Sequence, residues 1–400
     1  MFSPPRVMDE DEIAVDPDFH EVVDSYEPSD FRSCVPQFLS CPNHFLTFCY
    51  TVRHAVWSRA SITGSWKMAD DIRRCVRENI GTYPQWQEVS AMLIQPRGPS
   101  DDLQFETYEA GHLVALVVDS EAPNPLLQAP VEHPKHILDI GTGRGSWAVD
   151  AADRFPDGWS FFPWLALDTL ISPAATIRGV DLYPPPVEWV PPNCLFELDD
   201  VLEEWTWKEP FDLIHMRFML GAFTPAEWDS VYKQCYDNLT PGGWLEQMEG
   251  DCNILTDDNS IPEDSMLHSW GENIVGSAAR SGRPVETVHT MRSAIENAGF
   301  VDIHEKVYKW PIGMWPKDPI LKEAGRLNHQ MWKTGLEGWA MWLLTKFGNP
   351  KPWTTEQVHV YVAKTRADIA NPKHHIYHYL RRIWARKPTN EEIMKTRTTM

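Results

Sequence analysis

The chain has 400 residues, of which 42% are hydrophobic, so it can form one large domain with extensions or two domains with buried cores. Its formal net charge of −21 argues against a nucleic-acid partner, because phosphate contacts require clustered Lys and Arg. The seven cysteines include no Cys-x-x-Cys pair, so they indicate neither a disulfide framework nor a zinc site.

No targeting or membrane segment is visible in the sequence. No apolar run approaches the roughly 20 residues that a membrane-spanning helix needs. The first residues also lack the basic-then-apolar pattern of a secretion signal. We therefore expect a protein of the cytoplasm or the nucleus, with no membrane partner.

Residues 1–66 are expected to form an acidic N-terminal extension. Residues 1–30 contain ten acidic residues and one basic residue, Arg6. Such a segment buries too little apolar surface to offset its loss of conformational entropy, so we expect disorder. It either binds a protein partner or only keeps the chain in solution. Residues 31–66 follow neither helical nor strand periodicity for long and stay unassigned.

Residues 67–130 are expected to form a helical N-terminal cap. Helix-favouring residues occupy 70–79, and a loose apolar stripe predicts a longer helix over 102–118. Prolines at 123, 125, 130 and 134 then form a linker to the segment that organises the rest of the chain.

That segment is a strand followed by a glycine-rich turn and a helix. A short apolar strand ends beside Asp139, and Gly141, Gly143 and Gly145 precede a predicted helix over 147–155. Glycines at this spacing let the backbone turn sharply, so a ligand can approach main-chain N–H groups at the helix start. The Asp-x-Gly-x-Gly-x-Gly spacing favours S-adenosylmethionine over a dinucleotide, whose usual pattern is Gly-x-Gly-x-x-Gly.

Strand and helix alternate after this motif, which predicts an α/β fold with a mostly parallel sheet covered on both faces. Strands are predicted at 175–182, 194–198 and 211–217, a helix at 225–239, and a turn into a fifth strand at 240–246. Candidate ligand-binding residues lie at the carboxyl ends of these strands, where the crevice of such a sheet opens. They are Asp181 and Leu182, Asp199 and Asp200, and His215 and Arg217. For His215 and Arg217, a purely structural hydrogen-bonding role is an equally good interpretation.

Asp181 lies farther along the chain from the glycine motif than expected. The acid that binds ribose usually follows the last glycine by about 20 residues, but here a strongly apolar segment of seventeen residues, 158–174, intervenes. One hypothesis is that these residues translate an unspliced intron, because seventeen codons preserve the reading frame; sequencing the transcript tests it. If the insert is real, it lies beside the ribose site.

The C-terminal part is predicted to extend the sheet and to cover it. Helices are predicted at 266–279 and 285–297, a sixth strand at 301–310, a helical lid insert from 311 to 347, a helix at 355–369, and a last strand at 376–385 beside the sixth. Tryptophans in the insert either cap an apolar ligand or pack in the core. His374, His375 and His378 do not predict a metal site, because positions 375 and 378 point to opposite faces of a strand.

These segments together resemble the fungal LaeA-like class I methyltransferases. The resemblance covers residues 75–390 and rests on the segments 78–83, 136–145, 179–182, 189–200, 205–207, 211–217, 239–246, 298–301, 309–318, 335–338 and 366–369. It implies a Rossmann-like class I methyltransferase fold with a seven-stranded, mostly parallel sheet and S-adenosylmethionine over the carboxyl ends of the first strands. It also implies three contact groups: Asp139, Gly141, Gly143 and Gly145 for the methionine part, Asp181 for the ribose, and Asp200 for the adenine.

The remaining domain boundaries are expected as follows. We expect the cofactor-binding core at 131–310, the lid insert with the last strand at 311–390, and a tail at 391–400.

Three interpretations of function remain. The sequence contains no diagnostic catalytic pair, so we assign no base and would test His215 and Tyr83 first. The chain is a small-molecule methyltransferase of fungal secondary metabolism, a LaeA-like nuclear regulator acting through protein partners, or an inactive member.

Overall fold

The computed structural model describes residues 13–17, 102–155, 175–183, 185 and 190–399. Several sequence-based predictions lie outside these residues. They concern most of the acidic extension, residues 31–66, the helix at 70–79, the motif at 78–83 with Tyr83, and the insert at 158–174.

Strands and helices alternate through most of the described chain. The strands are β1 (His136–Ile140), β2 (Thr176–Asp181), β3 (Cys194–Leu198), β4 (Phe211–Arg217), β5 (Leu239–Gly250), β6 (Leu255–Thr256), β7 (Val301–Ile312) and β8 (Ile376–Arg386). The helices are α1 (Asp102–Val118), α2 (Ser146–Arg154), α3 (Pro225–Asn238), α4 (Leu267–Arg280), α5 (Thr287–Asn297), α6 (Pro319–Phe347), α7 (Thr355–Ile369) and α8 (Asn390–Thr399). None of these described helices is both long and apolar enough to cross a bilayer.

The strands form one sheet in the order β3-β2-β1-β4-β5-β8, with β7 on the other side of β8. Strands β1 to β5 run parallel, and β8 lies antiparallel between β5 and β7. The predicted pairing of the last two long strands is therefore confirmed. The Rossmann-like fold with seven long strands is confirmed as well, and the two-residue β6 adds a short pairing to β8.

The central strands are buried on both faces, as the apolar runs of a parallel sheet require. Ile137 and Leu138 are neighbours in β1 and point to opposite faces, yet both are 0% exposed. Ile137 packs with Trp147 of α2, whereas Leu138 packs with Val231 of α3 and Met291 of α5. This packing fixes the carboxyl ends of β1, β2 and β4 side by side, and the candidate site lies there.

The C-terminal insert is one helix of 29 residues rather than a helical segment that begins at residue 311. Residues 311 and 312 continue β7, and the helix begins after Asp318, whose side chain accepts hydrogen bonds from the N–H groups of Ile320 and Leu321. Glycine does not interrupt this helix. It allows close packing instead, because a Cβ on Gly335 would lie 2.8 Å from a methyl group of Thr107 in α1.

Two short parts of the chain ends contact the folded core, one in the acidic extension that was expected to be disordered and one in the expected C-terminal tail. Part of the acidic extension is ordered: Val15 bridges to Pro316, and the N–H of Asp16 donates to the carbonyl of Trp315 at 2.7 Å. The expected C-terminal tail forms most of α8, and Glu392 in its first turn accepts two hydrogen bonds from Arg386 of β8. In both places backbone pairing and ion pairs with the folded core replace the apolar burial that these polar segments lack.

Candidate cofactor-binding site

The glycine-rich turn links β1 to α2 and is the floor of the site. Gly143 has a φ of +56°, and a Cβ built on it would meet no atom of the described residues within 4 Å. The open space beside Gly143 is therefore available to a ligand. Gly145 has a φ of +82°, but a Cβ there would lie 2.4 Å from the ring of Phe196. Gly145 is thus required for packing against β3.

Asp139 uses both carboxylate oxygens within the protein. Its Oδ2 accepts a hydrogen bond from the Thr142 hydroxyl at 2.7 Å, and its Oδ1 accepts one from His215 Nδ1 at 2.8 Å. Burial lowers the pKa of His215 to about 4, so the imidazole is neutral at neutral pH. The ring of Trp147 stacks on His215 with centroids 3.7 Å apart. These contacts hold the end of β1 and the glycine turn in one arrangement.

Asp181 joins the end of β2 to the same turn. Its Oδ2 accepts a hydrogen bond from the Gly143 N–H at 2.8 Å, and its Oδ1 accepts one from the Tyr183 N–H at 3.1 Å. Burial raises the pKa of the Asp181 carboxyl. Because each carboxylate oxygen can accept more than one hydrogen bond, Asp181 keeps acceptor capacity for hydroxyl groups of a ligand.

Asp199 and Asp200 form the wall beyond β3. Asp199 Oδ1 accepts a hydrogen bond from the Asp200 N–H at 2.8 Å, and Asp200 Oδ1 accepts one from the Leu202 N–H at 3.1 Å. Burial raises the pKa of the Asp199 carboxyl. Both side chains turn back onto the local backbone, which fixes the loop that borders the cavity.

Arg217 contacts helix α1, whose contribution to the wall of the cavity was not predicted from the sequence. Its Nη2 donates to His112 Nδ1 at 2.8 Å, so the other ring nitrogen of His112 carries the proton and donates to Asp150 at 3.0 Å. His112 belongs to α1, which also places Tyr108 and Glu109 beside the cavity. No motif in the sequence marks these residues, because they lie far upstream of the glycine motif. Their spacing along α1 was a usable signal, since positions three and four apart share one helix face.

These elements enclose a cavity of ≈ 210 Å³. It brings together nine of the ten predicted site residues, namely Asp139, Gly141, Gly143, Asp181, Leu182, Asp199, Asp200, His215 and Arg217. Gly145 is not among the residues that line the cavity, and a Cβ on it would lie against the ring of Phe196.

A second, smaller cavity of ≈ 90 Å³ adjoins the first. Its walls are mainly aromatic and aliphatic side chains from α4 and α6, closed on one side by the ends of β5 and β8. The two cavities share five wall residues: Gln104, Tyr108, Phe218, Leu220 and Trp339. Of the tryptophans in the C-terminal insert, Trp315 is buried, whereas Trp332 and Trp339 line the second cavity.

Comparison with known proteins gives the family. A sequence model described as a methyltransferase domain matches residues 119–305. The methyltransferase pytC of Aspergillus terreus is 34% identical over 265 residues, which cover 66% of this chain and 75% of that protein. The secondary metabolism regulator LAE1 of Cochliobolus heterostrophus is 34% identical over 272 residues, which cover 66% of this chain and 81% of that protein. The chain belongs to the LaeA-like family of fungal methyltransferases.

S-adenosylmethionine is the cofactor of a methyltransferase with this fold, and the residues present fit it. The space beside Gly143 is open. Carboxylates with acceptor capacity stand at the ends of β2 and β3, as a ribose diol and an adenine amino group require. Among the described residues, no group of His, Cys, Asp and Glu side chains is arranged to hold a metal ion.

Proposed function

We propose that this methyltransferase binds S-adenosylmethionine in the 210 Å³ cavity and methylates a small apolar molecule of fungal secondary metabolism in the adjoining cavity. This proposal rests on the five wall residues that the two cavities share. A methyl group moves in line from donor to acceptor, so the two ligands must meet without water between them. Two adjoining cavities, one bordered by the carboxylates of Asp181 and Asp199 and the other mainly by apolar side chains, meet that requirement.

Each predicted residue takes a role in this proposal. Gly141 and Gly143 face the methionine part, and Asp139 holds the turn that carries them. Asp181 and Leu182 border the ribose, and Asp199 and Asp200 border the adenine. His215 stabilises the glycine turn through its hydrogen bond to Asp139, and Arg217 binds His112 of α1. Gly145 allows the turn to pack against Phe196.

The cofactor supplies an electrophilic methyl group, and the protein positions the acceptor and excludes water. Trp339 of α6 lines both cavities, so the C-terminal insert borders both proposed ligand sites. A polar acceptor would lose its hydration in the second cavity without replacement, because that cavity offers few polar partners. An apolar acceptor therefore fits it better.

Calorimetric titration with S-adenosylmethionine and with S-adenosylhomocysteine tests the first part of the proposal. We expect saturable binding of both at one site per chain. Absence of binding would contradict the proposal and would indicate a member that has lost its activity.

A second function, regulation through protein partners, is favoured by the names of other relatives. LAE1 and the laeA of Monascus pilosus, which is 30% identical over 297 residues, are both described as secondary metabolism regulators. Incubation with methyl-labelled cofactor and a fungal cell extract separates the two functions. Label in small molecules supports the leading proposal, and label only in protein supports the regulator. The cytoplasmic or nuclear location stays a prediction.

A further inference from the structure

His378 is a polar exception in the wall of the apolar cavity. It lies on β8, is 2% exposed, and lines the cavity together with apolar residues such as Trp270, Ile274 and Leu336. No other part of the proposed function uses this side chain. A buried imidazole in such surroundings needs a hydrogen-bond partner for each ring nitrogen.

One ring nitrogen has a partner in the protein. His378 Nδ1 lies 3.2 Å from the backbone carbonyl oxygen of Asp251. A carbonyl can only accept, so Nδ1 carries the proton. Burial lowers the pKa of His378 to about 4, and the ring is therefore neutral at neutral pH. Nε2 then carries a lone pair and acts as an acceptor.

The other ring nitrogen, His378 Nε2, has no hydrogen-bond partner among the described residues. The ring cannot easily turn away, because Trp310 and Trp332 meet it edge to face with centroids 6.0 and 5.2 Å away. A buried acceptor without a donor is unfavourable, and a ligand in the cavity can supply that donor.

The size of the cavity restricts the ligand. An engineered apolar cavity of about 150 Å³ holds one benzene molecule, whereas this cavity measures ≈ 90 Å³. A ligand of this cavity is therefore no larger than one aromatic ring, and it lies against the five wall residues shared with the first cavity. Such a ring lies between His378 and the proposed cofactor site.

We propose that the second cavity binds a planar aromatic acceptor that carries a hydroxyl or N–H group, and that His378 Nε2 accepts the hydrogen bond from this group. His378 thereby selects acceptors with a donor over purely hydrocarbon molecules. The step is a binding step only, since the proton stays on the ligand. It rests on the proposed function in identifying the ligand as a methyl acceptor, but the binding itself needs no cofactor.

Binding of phenol and toluene to the full chain without cofactor tests the proposal. The two probes have similar size, and only phenol carries a hydroxyl donor. Their dissociation constants are measured by tryptophan fluorescence and by saturation-transfer NMR. We expect the dissociation constant of toluene divided by that of phenol to fall about fivefold in His378→Phe, the range expected for one hydrogen bond.

Two further variants complete the test. His378→Gln offers an amide oxygen near the position of Nε2 and should restore most of the preference for phenol. His374→Phe removes a buried histidine whose two nitrogens have partners in Asn371 and Asp368, and it should leave the ratio unchanged. An unchanged ratio in His378→Phe, or no binding of either probe to the wild type, would overturn the inference. Neither result affects the cofactor titration, so failure of the two proposals can be distinguished.

Discussion

The ring of Trp147 lies flat on His215, with centroids 3.7 Å apart and planes 2° apart. Trp147 belongs to the first turn of α2, and His215 belongs to β4. The stack thus clamps the helix that follows the glycine turn onto the neighbouring strand. Asp139 completes the clamp from β1 through its hydrogen bond to His215.

Replacing His215 by Phe should weaken cofactor binding. Phe keeps a flat ring against Trp147 but cannot donate to Asp139, whose buried Oδ1 then loses its side-chain donor. We expect a loss of about 1–3 kcal/mol in stability and roughly tenfold weaker binding of S-adenosylhomocysteine. His304→Phe is the control, because His304 also stacks on a tryptophan, Trp384, but is exposed and does not line the cavity. Equal effects of both variants on binding would refute the role given to His215.

Gly143→Ala should abolish cofactor binding without unfolding the protein. The left-handed backbone costs an Ala residue about 1–2 kcal/mol, and the added methyl group enters the open space beside the turn. Gly282→Ala is the matched control, since Gly282 has a φ of +80°, is exposed, and would also place a Cβ more than 4 Å from every atom of the described residues. Thermal unfolding should change similarly in both variants, and titration with S-adenosylhomocysteine should fail only in Gly143→Ala. Normal affinity in that variant would place the cofactor elsewhere.

Glu249→Gln should stabilise the protein progressively as the pH rises. Burial raises the pKa of Glu249 to about 7, and its Oε2 has no hydrogen-bond partner among the described residues. Between pH 4.5 and 7 the folded state keeps a proton that the unfolded state releases, so Glu249 lowers stability over this range. The variant removes this penalty, which reaches about 3 kcal/mol above pH 7. Urea unfolding from pH 4.5 to 8 measures the difference.

Glu227→Gln should show the opposite trend. Burial alone would raise the pKa of Glu227, but the Thr224 N–H and Arg283 hold it below its usual value. The ionised form is favoured in the folded state, so its contribution is present at neutral pH and is lost as the pH falls through the folded pKa. If the stability of both variants relative to the wild type changed in the same direction with pH, the pKa shifts assigned to Glu249 and Glu227 would both be contradicted.

Asp119→Asn should strongly destabilise the sheet without altering the cavities. Asp119 accepts hydrogen bonds from Tyr308 and Lys306 and lies 3.0 Å from Arg382, which is 1% exposed. Removing its charge leaves the buried Arg382 with a distant partner in Glu246, 3.8 Å away. We expect a loss of about 3–5 kcal/mol.

Asp302→Asn is the surface control for this prediction. Asp302 pairs with Arg386, but its side chain is 52% exposed, and exposed ion pairs contribute less than about 1 kcal/mol. Denaturant unfolding compares the two variants. A loss below 1 kcal/mol in Asp119→Asn would show that the buried network does not depend on its charge.

The local pattern of the chain was sufficient for the core of the fold. The bounds of β3, β4, α1 and α7 agree with their predictions, because periodic burial and capping residues are local properties. Asp139, Asp181 and Asp200 could also be assigned to one cavity from the sequence. Residues at the carboxyl ends of neighbouring parallel strands must lie side by side once the strand order is known.

Only the tertiary structure decided which side of the glycine turn faces the cavity and what encloses it. Gly143 and Gly145 have the same spacing pattern, yet one faces open space and the other faces Phe196. His112 of α1 lines the first cavity and His378 of β8 lines the second, and both elements are distant in sequence from the glycine motif. The sequence thus determined a cofactor-binding fold through local periodicity and spacing, whereas the second cavity and the position of His378 in its wall depend on long-range packing that no local pattern specifies.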